Sequence, residues 1–127
     1  MREFNLHERL IDFAVMIIEI SKGIENSKPG NHLSGQIIRS GTAPSLNYSE
    51  AQSAESRNDF IHKMSIVLKE LRETLSCLKI LRKANLYLIS NDMMEKTQIE
   101  ANELISIFVR SIQTSKEKLK KDNTNNE

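Results

Sequence analysis

Apolar residues recur at three- and four-residue steps along most of the chain, in four separate runs. In the first, Leu6, Leu10, Phe13, Ile17 and Ile20 form a stripe that Ala14, Ile18 and Ile24 widen. Glu8, Arg9, Asp12 and Glu19 lie largely outside it, so the spacing predicts an amphipathic helix from Leu6 to about Lys22. The run Asn26 to Asn31 reads NSKPGN, and Pro29-Gly30 is a loop signal that stops this helix. A second helix is expected from near Asn31 to about Ser53, with Leu33, Ile37, Gly41, Pro44, Tyr48 and Ala51 on one face. The third run is the clearest. Phe60, Met64, Val67, Leu68, Leu71, Leu75, Leu78 and Leu81 predict a helix from about Arg57 to Asn85. Ser56 followed by Asp59 has the spacing of a capping box at its start. After the connection Asn85 to Asp92, Ser90 or Asn91 caps a fourth helix running to about Leu119, with the stripe Met94, Thr97, Ala101, Leu104, Phe108 and Ile112.

Nothing in the chain alternates with period two, and no Asn-Gly or Asp-Gly hairpin turn occurs. Four amphipathic helices with short connections predict an all-α, antiparallel up-down-up-down four-helix bundle over residues 1–120, with a Pro-kinked second helix. Lys120 to Glu127 contains no apolar residue, and 121–127 is expected to be a disordered tail.

Gly41 and Pro44 interrupt the second stripe. Pro44 cannot donate to the carbonyl of Ser40, and a proline inside a helix costs roughly 3 kcal/mol or bends it. Ser40, Gly41, Ala43 and Ser45 are small, which suits a bent helix against which another packs closely. The competing reading is a ligand-contacting break with carbonyls freed at Ser40 or Thr42, but no Gly-Lys-Ser/Thr phosphate loop accompanies it. Asn47 and Glu50, if they face inward, need partners such as Arg57 or Arg72 on a neighbouring helix; Glu70 and Glu73 raise the same question.

Composition narrows the chemistry. The 127 residues are 39% apolar and 28% charged, with 5% aromatics and no Trp, a diet that suits helices packed on helices. The single cysteine, Cys77, excludes an internal disulfide and fits a reducing cytoplasm; between Leu75 and Leu78 it reads as a core residue. The longest apolar stretch, Phe13 to Ile20, is broken by Glu19 and falls far short of the roughly 20 residues of a membrane span. No signal peptide is evident, so a soluble cytoplasmic protein without membrane contact is expected. A carboxylate-bridged metal pair in a bundle needs repeated Glu-x-x-His, and the nearest item is Asp59-x-x-His62, once; His7 and His32 do not repeat it. No serine sits in a nucleophile elbow. A non-enzymatic protein with no metal and no cofactor is expected.

The formal net charge of +1 argues against a strongly basic nucleic-acid binder, yet the charge is segregated. The third helix carries Arg57, Lys63, Lys69, Arg72, Lys79, Arg82 and Lys83 against Asp59, Glu70 and Glu73. Lys116, Lys118, Lys120 and Lys121 follow near the C-terminus, partly offset by Glu117, Asp122 and Glu127. The first helix leans acidic, with Glu3, Glu8, Asp12 and Glu19 against Arg2 and Arg9. Three readings stay open: a solvated face, a phosphate-binding stripe, or acidic and basic faces that meet between subunits.

The stretch QIIRSGTAPSLNYSEAQSAESRNDFIHKMSIVLKELRETL carries Arg39, Ser40, Gly41, Asn47, Glu50, Ala51, Ser56, Asp59, Phe60, Leu68, Glu70 and Glu73 in a characteristic order. It resembles the small four-helix-bundle proteins encoded by intervening sequences within bacterial 23S ribosomal RNA genes. The resemblance spans Leu33 to Leu81. It implies a homopentamer around a central channel and no enzymatic activity. The related accessory protein of diversity-generating retroelements binds a reverse transcriptase and structured RNA through basic surface. By that resemblance the expected partners are further copies of the chain, and structured RNA or a nucleic-acid-processing protein. Arg39 and the basic residues of the third helix are the candidate phosphate contacts. The alternative is a structural or protein-interaction subunit with no nucleic-acid binding. Ser40, Gly41, Pro44, Asn47, Glu50, Ser56, Asp59, Phe60, Glu70 and Glu73 are read as the structural motif.

Overall fold

The structure, a computed structural model, describes residues 5–125. Four helices follow in order: α1 (Leu6–Lys22), α2 (Lys28–Gln52), α3 (Arg57–Ala84) and α4 (Asn91–Asn125). Each packs on its neighbours in the chain, α1 and α4 close the ring over a shorter stretch, and α1 and α3 do not meet. They therefore stand on opposite corners of a four-helix bundle, and no strand occurs among the described residues. The core is built from the predicted stripes: Leu10, Phe13, Ile17 and Ile20; Ile37 and Ala51; Met64, Val67, Leu71, Leu78 and Leu81; Met94, Ala101, Leu104 and Phe108. Tyr48 seats edge-on against Phe108, with ring centroids 5.8 Å apart.

Local chemistry sets the helix starts. The side chains of Asn5, Ser27 and Ser56 accept the backbone N–H of Glu8, Gly30 and Asp59, each at 3.1 Å. Asp59 reaches back to accept the Glu55 N–H at 3.3 Å, one residue earlier than in a standard capping box. Ser90 accepts from the Met93 N–H at 3.2 Å and starts α4. At the end of α3, Asn85 takes the left-handed conformation (φ 54°) in which its N–H bonds back to the last turn.

Two boundaries differ from the pattern. The Pro29-Gly30 loop signal predicts a start near Asn31, whereas α2 begins at Lys28, with Pro29 in its first turn. There the missing N–H costs nothing and the fixed φ is already helical. The fourth stripe predicts an end near Leu119 and a disordered tail over 121–127, whereas α4 continues to Asn125. Lysine and glutamate are good helix formers, and Asp122 pairs with Arg57 at 3.1 Å, tying this turn to α3. Arg2 and Glu3, counted with the first helix, lie outside the described residues, as does Glu127.

Candidate nucleic-acid interface

The motif stretch is an assembly device. Pro44 lies within an unbroken α2 and is buried, together with Ser40, Gly41 and Ser45. A Cβ on Gly41 would stand 2.6 Å from Ile17 Cγ2 and 2.9 Å from Ile17 Cβ, so α1 approaches α2 closer than any side chain permits. On the other flank of α2, the buried hydroxyls of Ser40 and Thr74 are hydrogen-bonded at 2.9 Å, and Thr74 donates to the Glu70 carbonyl at 2.8 Å. Above them Arg39 donates to Glu70 at 3.0 Å and also to Glu73. The fork holds the Glu73 carboxyl below its ordinary range and raises the Arg39 guanidinium through Glu73 first and then Glu70. The inward Glu50 that the spacing raises is not found: Glu50 is exposed and Asn47 half-buried. The carboxylate facing α2 across the bundle is Glu70, because Arg39 on α2 sits level with it and Glu50 lies three turns further along.

The candidate phosphate contacts divide into two groups. Arg39 is committed to its glutamates, Lys63 pairs with Asp59 at 3.1 Å, and Arg57 pairs with Asp122. The remaining five share one side of α3. Arg72, Lys79 and Lys83 stand seven and four residues apart on one stripe, Lys69 borders it, and Arg82 turns toward α4 to donate to Gln98 at 2.8 Å. Lys69, Arg72, Lys79 and Lys83 are exposed and carry no ion pair among the described residues. Glu70 and Glu73 project to the α2 side, so Arg72, Lys79 and Lys83 have no acid one turn away on α3, whereas Lys69 stands one turn from Glu73.

Two shallow hollows lie between α3 and α4. One is lined by Lys79, Arg82, Lys83 and Gln98. The other has an apolar floor of Leu68, Val109 and Ile112, with Arg72, Gln113 and Lys116 at its edge. Lys116 of α4 is part of this surface, on the same hollow as Arg72.

Other reactive groups are elsewhere. Cys77 is buried, and burial pushes its thiol up, which keeps it protonated and unreactive. His62 is exposed, and His7 stacks near Tyr48 at 6.1 Å. No cluster of three or more His, Cys, Asp or Glu side chains forms among the described residues. No described helix is long and apolar enough to cross a membrane.

A crystal structure of a protein with unknown function from the S23 ribosomal protein family of Bacteroides thetaiotaomicron is 32% identical, with a TM-score of 0.76. The similarity covers 85% of this chain and 98% of that one. No curated protein matches the chain. The model of the 23S rRNA-intervening sequence proteins matches residues 2–110, which takes in all of α1, α2 and α3 and more than half of α4. With the Arg39-to-Glu73 motif seated at the α2/α3 contact of this bundle, the chain belongs to the 23S rRNA-intervening sequence protein family.

Proposed function

We propose that this protein is a non-enzymatic, homo-oligomeric bundle of the cytoplasm that binds structured RNA, or a nucleoprotein, through the outer side of α3. The observation that carries this is the hollow of Lys79, Arg82, Lys83 and Gln98, which has no carboxylate in its lining. Three cations within two turns of helix meet successive phosphates, and the glutamine adds a neutral donor. The net charge of +1 does not oppose this, because the acids that balance the sum lie largely on α1 and α4, or are held by Arg39. The resemblance in the motif implies a ring of five copies, which would multiply a modest patch into an extended one.

The test is titration of a structured RNA against salt. Binding should weaken linearly in log K against log[salt], with a slope of roughly 0.7 to 0.9 per phosphate met. Lys79→Glu with Lys83→Glu should flatten that slope and cut affinity at least tenfold. No binding at low salt, or no slope, removes the reading. The second reading, a protein-interaction subunit with no nucleic-acid contact, draws on the exposed Ile11, Val15 and Ile18 of α1.

A further inference from the structure

The side of the bundle formed by α3 and α4 carries amides as well as cations. Gln98 accepts from Arg82, and Gln113 stands with Arg72 and Lys116 at the second hollow. Asn102, also exposed, follows Gln98 by four residues and precedes Gln113 by eleven, which puts all three on one edge of α4. Cations gather at two places along this side, Lys79, Arg82 and Lys83 at one and Arg72 with Lys116 at the other. Arg72 and Lys83 lie eleven residues apart, about 16 Å of helix. The acids of α4 leave the edge clear over this length: Glu100 and Glu103 are turned to Arg9 on the α1 side, and Glu95 and Glu117 border its two ends.

The shape and chemistry of this face discriminate among nucleic acids. A single strand gains affinity by stacking its bases on aromatic rings. The aromatic residues of α3 and α4, Phe60 and Phe108, pack against or within the core, so the face offers no ring. The major groove of B-form DNA, roughly 12 Å wide, admits one helix. Here α3 lies packed along α4, and two helices of about 10 Å each are too broad to enter it. A-form RNA presents instead a wide, shallow minor groove that displays ribose 2′-hydroxyls between its phosphates. A face with only shallow hollows meets such a groove without insertion. The 2′-hydroxyl both donates and accepts, as a side-chain amide does, whereas lysine and arginine only donate.

We infer that the ligand of the α3/α4 face is double-helical RNA, held across its minor groove through phosphate and ribose, with Asn102 and Gln113 meeting 2′-hydroxyls between the two groups of cations. Base sequence is not read, because no side chain of the face reaches into the stack. The inference rests on the nucleic-acid half of the proposed function and names the class of RNA that this half leaves open.

Fluorescence anisotropy of the full-length chain with three probes tests it across a salt series: an RNA duplex, a DNA duplex of the same sequence, and one strand of the RNA duplex chosen to have no self-pairing. At equal salt the RNA duplex should bind at least tenfold more tightly than either other probe, and shuffling its base pairs should change its affinity less than threefold. Asn102→Ala with Gln113→Ala, shown to be folded by circular dichroism, should bring the RNA duplex to within threefold of the DNA duplex. The salt slope should stay as it was, because no phosphate contact is lost. Equal binding of RNA and DNA duplexes, a single strand that binds as tightly as the duplex, or a double variant that keeps the RNA preference overturns the inference and leaves nucleic-acid binding standing. No binding of any probe at low salt removes the nucleic-acid reading and the inference with it.

Discussion

The α2/α3 contact and the α1/α4 contact are each crossed by an arginine that grips two glutamates. Arg39 holds Glu70 and Glu73; Arg9 holds Glu100 through two bonds, of 2.9 and 2.7 Å, and Glu103 through a third of 2.6 Å. What lies beneath differs. Beside Arg39 is the buried Ser40–Thr74 hydroxyl pair, on a helix thinned by Gly41 and carrying the buried Pro44. Next to Arg9 and to Glu100 and Glu103 in sequence, the buried residues Leu10, Ala101 and Leu104 are apolar. Both forks are partly open to water, Arg9 at 28% and Arg39 at 52% exposed, so neither contributes much by its charge alone. The fork over a buried polar pair stands beside a hydroxyl bond that ties α2 to α3 away from water. The lesson is that similar charges do different work according to what they cover, and that specific residues accumulate where the alternatives are few.

The contrast is broken most severely at Gly41. Gly41→Leu should push α1 off α2 and cost about 3 kcal/mol, read as a lower urea midpoint. Thr74→Val keeps the shape but strips Ser40 of its cross-helix partner, and should cost about 1–2 kcal/mol. Adding Ser40→Ala to it should cost less than the two changes summed, since they remove one shared bond. Arg39→Gln should lower the thermal midpoint by less than Thr74→Val does, and should alter the acid limb of a pH series. Because Arg39 holds the folded Glu73 carboxyl below its ordinary value near 4.5, the stability it contributes is present above that pH. It is lost as pH falls through the lower folded value, and the variant should lack that loss. Arg9→Gln should cost less than Thr74→Val, about 0.5–1 kcal/mol, and part of that effect should be lost at high salt. An Arg9→Gln loss equal to that of Thr74→Val would erase the distinction between the two contacts.

Much of this architecture is legible in the sequence, for a physical reason. Leu6 to Lys22 and Arg57 to Ala84 are bounded by caps that act locally, Asn5 and Ser56 at the start and Gly23 and Asn85 at the end, so pattern and backbone agree. Pro29 misleads because the same residue ends one helix and begins another, and only position within the turn distinguishes the two uses. The end of α4 is hidden because a polar, lysine-rich run reads alike as tail or as exposed helix. At the candidate interface, charge counts along α3 find Lys69, Arg72, Lys79 and Lys83 but also collect Lys63 and Arg57, which are neutralised across a turn or across helices. Separating free from paired cations requires the third dimension, as does seeing that Lys116 of α4 stands beside Arg72.

The two connections at one end of the bundle are joined to each other. The Glu25 N–H donates to the Leu86 carbonyl at 2.8 Å and the Leu88 N–H to the Gly23 carbonyl at 2.7 Å, pairing Ile24 with Tyr87. A Cβ at Gly23 would meet Ile89 at 2.1 Å, so the clasp depends on that glycine. Its consequence is directional. At the opposite end the short turn between α2 and α3 and the exposed Arg57–Asp122 pair hold the helices with no such backbone pairing among the described residues, so helices there should separate before those at the clasp. Amide hydrogens of Glu25 and Leu88, though they belong to loops, therefore exchange with solvent late, when the whole bundle opens rather than when its ends fray.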